Sequence, residues 1–505
     1  MDESSQASMV VFPRVERAGF MWGMDVPQFV TVCLGAVVFV IGAVVWGFPV
    51  VILVLLCVSV PLWCLALVRF RQRPLVDYLL VRSRWLGRSV AGHREWTVKP
   101  EAPVQVGQIQ WPGAVGARMS VFASAWGDGA ILWDAKSQCA TAVVRCEMAG
   151  WALASESDKA DRARAYGVFA RSIQHHPALS RIQIIARSLV DEVGAADRYR
   201  SRTQEERGVT GSAWAEGVHA ATMRGEFVTA KGEPLASVGA VSGALRSDAL
   251  VAITLDASKA QRVIAQHGGG IRGMSYALGE EVRRIQDGLG SLGVMLGHWL
   301  TPTEVADVLR EATDLEAMSM IAAQHASGER DAREFSGATP VLVEEREDIV
   351  WTGGGYHQVF WIQEWPRTKV AAGFLYKVIT APFPHCVCQV WHTVSAAKAL
   401  RQIDDARMSS TSRDRVKEFF GRPRRVADDL SDQDVHDREL ELAEGYADVR
   451  LVGYIVVSGA SEAECRSNSE KLRGLVGHLD IMLLERQQWA AFCAAALPLG
   501  WGLGR

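Results

Sequence analysis

The sequence predicts an α+β protein: an N-terminal two-helix transmembrane hairpin followed by cytoplasmic sheet-and-helix domains. Three observations predict it. No charged residue stands between Asp25 and Arg69. Beyond that run, β-forming stretches alternate with helical ones in both halves of the chain. No fixed short period recurs, which argues against a solenoid. The chain has 505 residues and a net charge of −3. That length leaves room for several soluble units at about 100–200 residues each, and the near-neutral balance argues against a general polyanion binder.

Residues 1–27 form a cytoplasmic tail. A bilayer core about 30 Å thick needs roughly 20 helical residues to cross, and residues 28–68 supply two such stretches, Gln28–Trp46 and Phe48–Val68. Gly47 and Pro49 punctuate the turn, and Trp46 and Phe48 suit the lipid–water boundary. Gly35, Gly42 and Ala43 let the two helices approach closely, while Pro61 calls for a local kink or a neighbouring helix. Arg69, Arg71 and Arg73, followed by Arg82, Arg84 and Arg88 against Asp77 alone, place this end in the cytoplasm by the positive-inside rule. A short turn then brings both termini there, giving a multi-pass cell-membrane protein. A cleavable signal peptide is not expected, because the apolar part begins late and runs on through two spans.

Residues 69–112 read as a basic juxtamembrane segment and linker. Pro74 starts a helix whose Leu75, Tyr78, Leu79, Trp85 and Leu86 form an apolar face. Two readings stay open: the helix lies on an anionic leaflet, each basic residue adding about 1 kcal/mol, or it packs on the next domain. Residues 113–312 form a first α+β domain. Its strands fall at Arg118–Ala125, Ala130–Asp134, Thr141–Met148, Arg181–Leu189 and Ala249–Asp256, and its helices at Ser157–His175, Ser258–Gln266 and Ile271–Leu289. Thr301-Pro302-Thr303-Glu304 is a capping-box helix start. Residues 313–505 form a second domain, with strands at Val341–Glu345, Gln358–Ile362, Gly373–Thr380, Cys386–Thr393, Arg450–Ser458 and Asp480–Leu484. Helices are expected at Ser395–Phe419, Gln433–Gly445 and, capped by Ser461, Glu462–Gly477.

No phosphate-binding Gly-x-x-x-x-Gly-Lys-Ser/Thr loop occurs, and Gly268–Gly270 and Gly353–Gly355 read as turns. There is no His-Glu-x-x-His, Gly-x-Ser-x-Gly or Cys-x-x-Cys motif. The nine cysteines show no paired spacing, and in the cytoplasm they stay reduced. Cys386-Val387-Cys388 beside His385 reads as strand alternation rather than a metal site. His175-His176 reads as a helix-end cap, and Asp404-Asp405 and Asp428-Asp429 read as solvated faces. Arg422-Pro423-Arg424-Arg425 reads as a protein-docking or solvated loop, so no specific nucleic acid, no metal and no cofactor is expected.

The stretch from Phe12-Pro13 through Arg88 resembles the PrgI-type two-helix membrane subunit of actinobacterial type IV secretion and conjugation systems. Ala163–Leu189, Leu375–Ile403 and Arg450–Trp501 resemble the N-terminal region of conjugative ATPases of the VirB/TraC class, without the ATPase domain. The resemblance implies a non-enzymatic membrane scaffold in an oligomeric assembly. A separate conjugative ATPase would dock at Gln487, Gln488, Trp489, Leu497 and Pro498. Two N-terminal spans and a cytoplasmic domain also resemble the EccE type of type VII secretion component. A membrane-anchored enzyme with an unmarked site is the third reading.

Overall fold

The computed structural model describes residues 9–10, 26–46, 52, 55–70, 73–98, 111–125, 127, 129–148, 154–173, 176–191, 204, 208, 212–215, 217, 244–290, 294–317, 320–321, 324, 338–366, 370–371, 373–393, 449–477 and 479–501. The helices expected at Ser395–Phe419 and Gln433–Gly445, and the clusters at 404–405 and 422–429, lie outside the described residues.

After a two-residue strand β1 (Met9–Val10), helix α1 (Val26–Trp46) spans 21 residues. Its window Pro27–Val44 is long and apolar enough to cross a membrane. Val30, Leu34, Val37, Val40, Ile41 and Val44 point outward, as lipid-facing side chains would. The second apolar stretch differs from expectation. A π-helical turn, Leu55–Ser59, leads into α2 (Val60–Leu67), and among the described residues the apolar helix runs over Leu55–Leu67. Pro61 supplies the physical reason for the irregularity: it lacks an N–H, and its ring crowds the carbonyl one turn back, so the preceding turn widens. Among the described residues one helix, not two, has spanning length. The two-helix transmembrane hairpin is therefore not supported, and multi-pass anchorage with both termini on one side loses its basis.

The two apolar helices do pack together, and closely. Gly35 faces Trp63, whose Nε1 donates to the Val32 carbonyl at 3.2 Å; a Cβ on Gly35 would lie 2.7 Å from that ring nitrogen. Gln28 Nε2 donates to the Ala66 carbonyl at 2.7 Å. A small hairpin, β2 (Arg69–Phe70) with β3 (Arg73–Pro74), follows, and then α3 (Leu75–Val90), started by Pro74 as the sequence predicts.

Among the described residues the other strands, Val370–Ala371 apart, build one antiparallel sheet of 13 strands. β4 (Glu95–Thr97) is followed by α4 (Ala114–Arg118), β5 (Met119–Ala123), β6 (Ala130–Asp134), β7 (Cys139–Met148), α5 (Glu156–Ser172) and β8 (Leu179–Asp191). Next come β9 (Ala244–Asp256), α6 (Gln261–Gln266), α7 (Gly270–Gly290), β10 (Val294–Trp299) and α8 (Pro302–Thr313). Then follow β11 (Leu342–Glu345), β12 (Val350–Trp351), β13 (Tyr356–Glu364), the short β14 (Val370–Ala371), which pairs β1, α9 (Tyr376–Ile379) and β15 (His385–Thr393). β16 (Val449–Gly459), α10 (Glu462–Leu475), β17 (Asp480–Leu483) and α11 (Gln488–Ala495) complete the order.

The capping box at Thr301 forms as expected: Glu304 N donates to Thr301 Oγ1 at 3.3 Å, and Thr301 N donates to Glu304 Oε2 at 2.9 Å. Ser461 likewise accepts from Glu464 N at 3.2 Å to start α10. The expected strand over Gly373–Thr380 is instead a turn and the short helix α9.

The element order repeats. In the first half β5-β6-β7 lead to a helix, then β8, β9, the long α7, a strand β10 on the outer edge of β7, and α8. In the second half β11-β12-β13 lead to a helix, then β15, β16, α10, a strand β17 on the outer edge of β13, and α11. The register agrees as well. Val294-Met295-Leu296 face Met148-Glu147-Cys146, and Ile481-Met482-Leu483 face Ile362-Trp361-Phe360. Leu278, Val282, Ile285 and Leu289 are buried on α7, and Cys465, Ser469, Leu472 and Val476 repeat that spacing on and just past α10. The halves meet where β8 pairs antiparallel with β15, from His385↔Ser188 to His392↔Arg181. Strands from both sides of residue 313 thus lie in a single sheet, with a pseudo-twofold relation about the β8–β15 pair.

Helices cover both faces of this sheet. One core gathers Ile182, Val251, Ile253, Val387 and Ile455 with α5, α7 and α10. The other gathers Ile185, Leu250, Ala252, Cys388 and Val456 with α8 and α11. Double coverage explains why the central strands read as nearly continuous apolar runs, such as Leu250–Leu255 and Tyr454–Val457, since both sides of each pleat are buried. Cys386 and Cys388 point to the α11 side, and Val387 to the other, the alternation expected of a strand.

Candidate functional site

The helix that follows the apolar pair, α3, grips the body through a cluster of polar contacts. α3 comes straight from the apolar helices: Leu75 N donates to the Val68 carbonyl at 2.9 Å. From its last turn Arg88 reaches the body with two bonds, Nη1 to Glu345 Oε2 at 2.7 Å and Nη2 to the Arg486 carbonyl at 2.7 Å. The other Glu345 oxygen, Oε1, accepts from Trp489 N at 3.3 Å. Arg486 stacks its guanidinium over the Tyr78 ring at 5.2 Å and pairs with Glu347. Arg94 lies 4.8 Å over the Trp85 ring, and its carbonyl accepts from Glu345 N at 2.8 Å.

Arg486 sits at φ 63°, a left-handed conformation costing a non-glycine residue roughly 1–2 kcal/mol. The bonds just described, which occupy its carbonyl and its guanidinium, hold it there. Burial raises the pKa of Glu345, against the Arg88 charge and the amides of Trp489 and Gln488, which favour the carboxylate. Hydrogen bonding from Arg486 lowers that of the Tyr78 phenol, and Arg82 acts the same way. Arg88→Ala removes the charge-assisted partner of a buried carboxylate. A loss of about 1–3 kcal/mol is expected, read as a lower denaturant midpoint and as faster amide exchange across α3.

The residues singled out in the sequence fall in different places. Trp46 ends α1, and Arg69 and Arg73 lie in the β2–β3 hairpin. Phe48 and Arg71 lie outside the described residues. Gln487 is the N-cap residue of α11 and is half-buried. Gln488, Trp489, Leu497 and Pro498 are buried. Gln488 works within the fold: its Oε1 accepts from Val359 N at 2.8 Å, and its Nε2 donates to the Leu484 carbonyl at 3.0 Å. Trp489 stacks with Trp111 and with Phe492, each at 5.8 Å, and donates to the Pro112 carbonyl. Docking through these side chains would require the segment to leave the sheet.

Two further polar centres are buried. Arg187 on β8 binds Asp248 through Nε at 2.8 Å and Nη2 at 2.5 Å, and Glu311 of α8 at 3.0 Å; Arg145 adds 2.8 Å to Asp248. Burial would raise the pKa of Asp248, but Arg187, with Arg145 and Arg246, lowers it. The second centre looks catalytic at first sight: Ser458 Oγ lies 2.8 Å from His357 Nδ1, and Thr352 Oγ1 2.9 Å from Nε2. All three residues are buried, and His357 is 0 % exposed. Burial pushes its pKa down to about 3. It is a neutral core histidine that no substrate reaches in this conformation. His176 pairs through Nδ1 with Glu281 at 2.7 Å, tying the end of α5 to α7.

Asp134 and Glu304 also have lowered pKa values. Burial opposes the shift, but Arg118 and Ser137 outweigh it for Asp134, and Thr301 and His298 for Glu304. Together with Asp248 these groups contribute stability that is present above an unfolded pKa of about 4 and is lost as pH falls through the folded values. Glu345, shifted the other way, contributes below about pH 4.5 and loses that contribution as pH rises. Burial also lowers the pKa values of His357, His385 and His392, so the stability they contribute is lost as pH falls below the unfolded value of about 6.5. The unfolding midpoint is therefore expected to fall on acidification from about pH 6.5, with a shallower slope below about pH 4 in Asp248→Asn.

Residues 244–362 match the sequence model of a family described as "Putative type VII ESX secretion system translocon, EccE". The matched stretch runs from β9 across the junction of the two halves and into β13, and it contains Asp248, Glu311 and Glu345. No curated protein matches the chain. The match overturns the resemblance to type IV secretion and conjugation proteins of the PrgI and VirB/TraC kinds. It points instead to a type VII translocon component, and a conjugative ATPase partner finds no support.

Proposed function

We propose that this chain is a membrane-anchored, non-enzymatic structural subunit of a type VII secretion translocon, similar to EccE. The match over 244–362 carries the reading. Two physical features support it. α1 is long and apolar enough to anchor the chain. The Arg88–Glu345 and Tyr78–Arg486 contacts couple the membrane-proximal helix to the body, as a subunit that holds a folded mass at a membrane requires. The arginines after the apolar stretch favour a body on the cytoplasmic side in this reading.

The test is affinity purification of the full chain from membranes in mild detergent. Co-elution with type VII translocon subunits, at a mass well above that of one chain, is expected. A lone monomer without those subunits, or nucleotide turnover by the purified chain, would overturn the proposal.

A further inference from the structure

The outer face of α3 has the layout of an interfacial helix. At 100° per residue, Leu79, Leu86 and Val90 converge on one side around Ser83, and Leu80 lies at its edge. All four apolar side chains are exposed, from 40 % for Leu80 to 90 % for Val90. Arg82, which also hydrogen-bonds the Tyr78 phenol, flanks this stripe on one side and Arg84 on the other, both exposed. The opposite side of the helix carries Tyr78, Val81, Trp85 and Arg88, none of them exposed, with Tyr78 and Arg88 bound to the body. The helix's one acid, Asp77, lies toward that body side. The bond from Leu75 N to the Val68 carbonyl starts α3 at the end of α2, beside the start of α1 through Gln28 and Ala66. The exposed face therefore begins where the apolar helices leave the membrane.

We propose that this face of α3 binds anionic lipid headgroups, with Leu79, Leu86 and Val90 entering the headgroup boundary and Arg82 and Arg84 reaching phosphates on either side. Long arginine stems suit this, because their apolar part lies along the stripe while the charge stays at the headgroup level. Two basic residues contribute only modestly near a charged surface. The covalent link to α1 supplies the rest, since it holds the face within reach and makes the contact intramolecular. α3 would then lie between bilayer and body, so the clamp at Arg88 and Arg486 would set the body's position on the membrane. The inference rests on the membrane reading given above.

The test uses the full chain in nanodiscs of phosphatidylcholine, alone or with phosphatidylglycerol. A photoreactive benzoylphenylalanine replaces Leu86 or, as a body-facing control, Val81. Position 86 is expected to give lipid adducts, several-fold more abundant with phosphatidylglycerol, and the preference is expected to vanish in R82Q/R84Q. Position 81 is expected to give none. Adducts from position 86 to a protein partner or a second copy, equal yield in both lipids, or no adduct would overturn the inference. If alkaline washing leaves the chain in membranes while position 86 makes no lipid adduct, this inference fails alone. If washing releases the chain, the membrane reading fails with it.

Discussion

Arg187→Met is expected to destabilise the body by about 3–5 kcal/mol, the usual cost of removing one partner from a buried charge cluster. Among the described residues Arg187 is the cation that touches both Asp248 and Glu311, and its side chain is 1 % exposed. Without it two buried carboxylates remain, and Arg145 reaches only one. The damage would spread because the cluster joins β7, β8, β9 and α8. The measurement is the denaturant midpoint of the full chain in detergent. A triple variant, Arg187→Met with Asp248→Leu and Glu311→Leu, removes the stranded charges too and is expected to recover most of the loss. If the single variant unfolds like wild type, the cluster is not a stabilising centre.

Gln183→Leu is expected to cost about 1–3 kcal/mol, because it strands the buried Gly500 N and leaves the carbonyls of Ala494 and Leu497 with only Cys388 Sγ and Leu499 N as donors. Gln183 Nε2 donates to the carbonyls of Ala494 and Leu497, both at 3.0 Å, and its Oε1 accepts from Gly500 N at 2.8 Å. A single side chain of the first half thus pins the segment after α11 across the sheet. The approach is tight: a Cβ on Gly500, at φ 64°, would lie 1.9 Å from Thr254 Oγ1. The variant should show faster amide exchange over residues 488–501 than over β13. Gln183→Glu, which sets a buried carboxyl against two carbonyl oxygens, should cost at least as much.

The sequence spoke clearly where the signal is local. The capping box at Thr301, the Ser461 cap, the start of α3 at Pro74 and the β runs of the central strands each follow from neighbouring residues. Elements decided by distant partners were not visible. β10 was missed because Val294–Trp299 carries Gly297 and takes its place only by pairing with β7. Leu375–Ile379 was read as strand because so short an apolar run fits either period. The docking reading of Gln488 and Trp489 rested on a family resemblance, and their bonds to the backbone of β13 and to the Pro112 carbonyl join positions too far apart in sequence to be read there. The clamp was hidden for the same reason, since Arg88 and Glu345 stand 257 residues apart. Among the described residues the second apolar stretch falls short of spanning length, and its helix carries Pro61 and a π turn that composition alone does not reveal.

The central claim is that α1 holds a folded body at a membrane through α3. It is tested most directly by alkaline carbonate extraction of membranes, comparing the full chain with Val37→Arg, which puts a charge near the middle of α1 at about 2.5–3.5 kcal/mol on insertion scales. The full chain should stay in the membrane pellet, and the variant should move measurably into the supernatant. Release of the full chain into the supernatant, or identical retention of both proteins, would contradict the account.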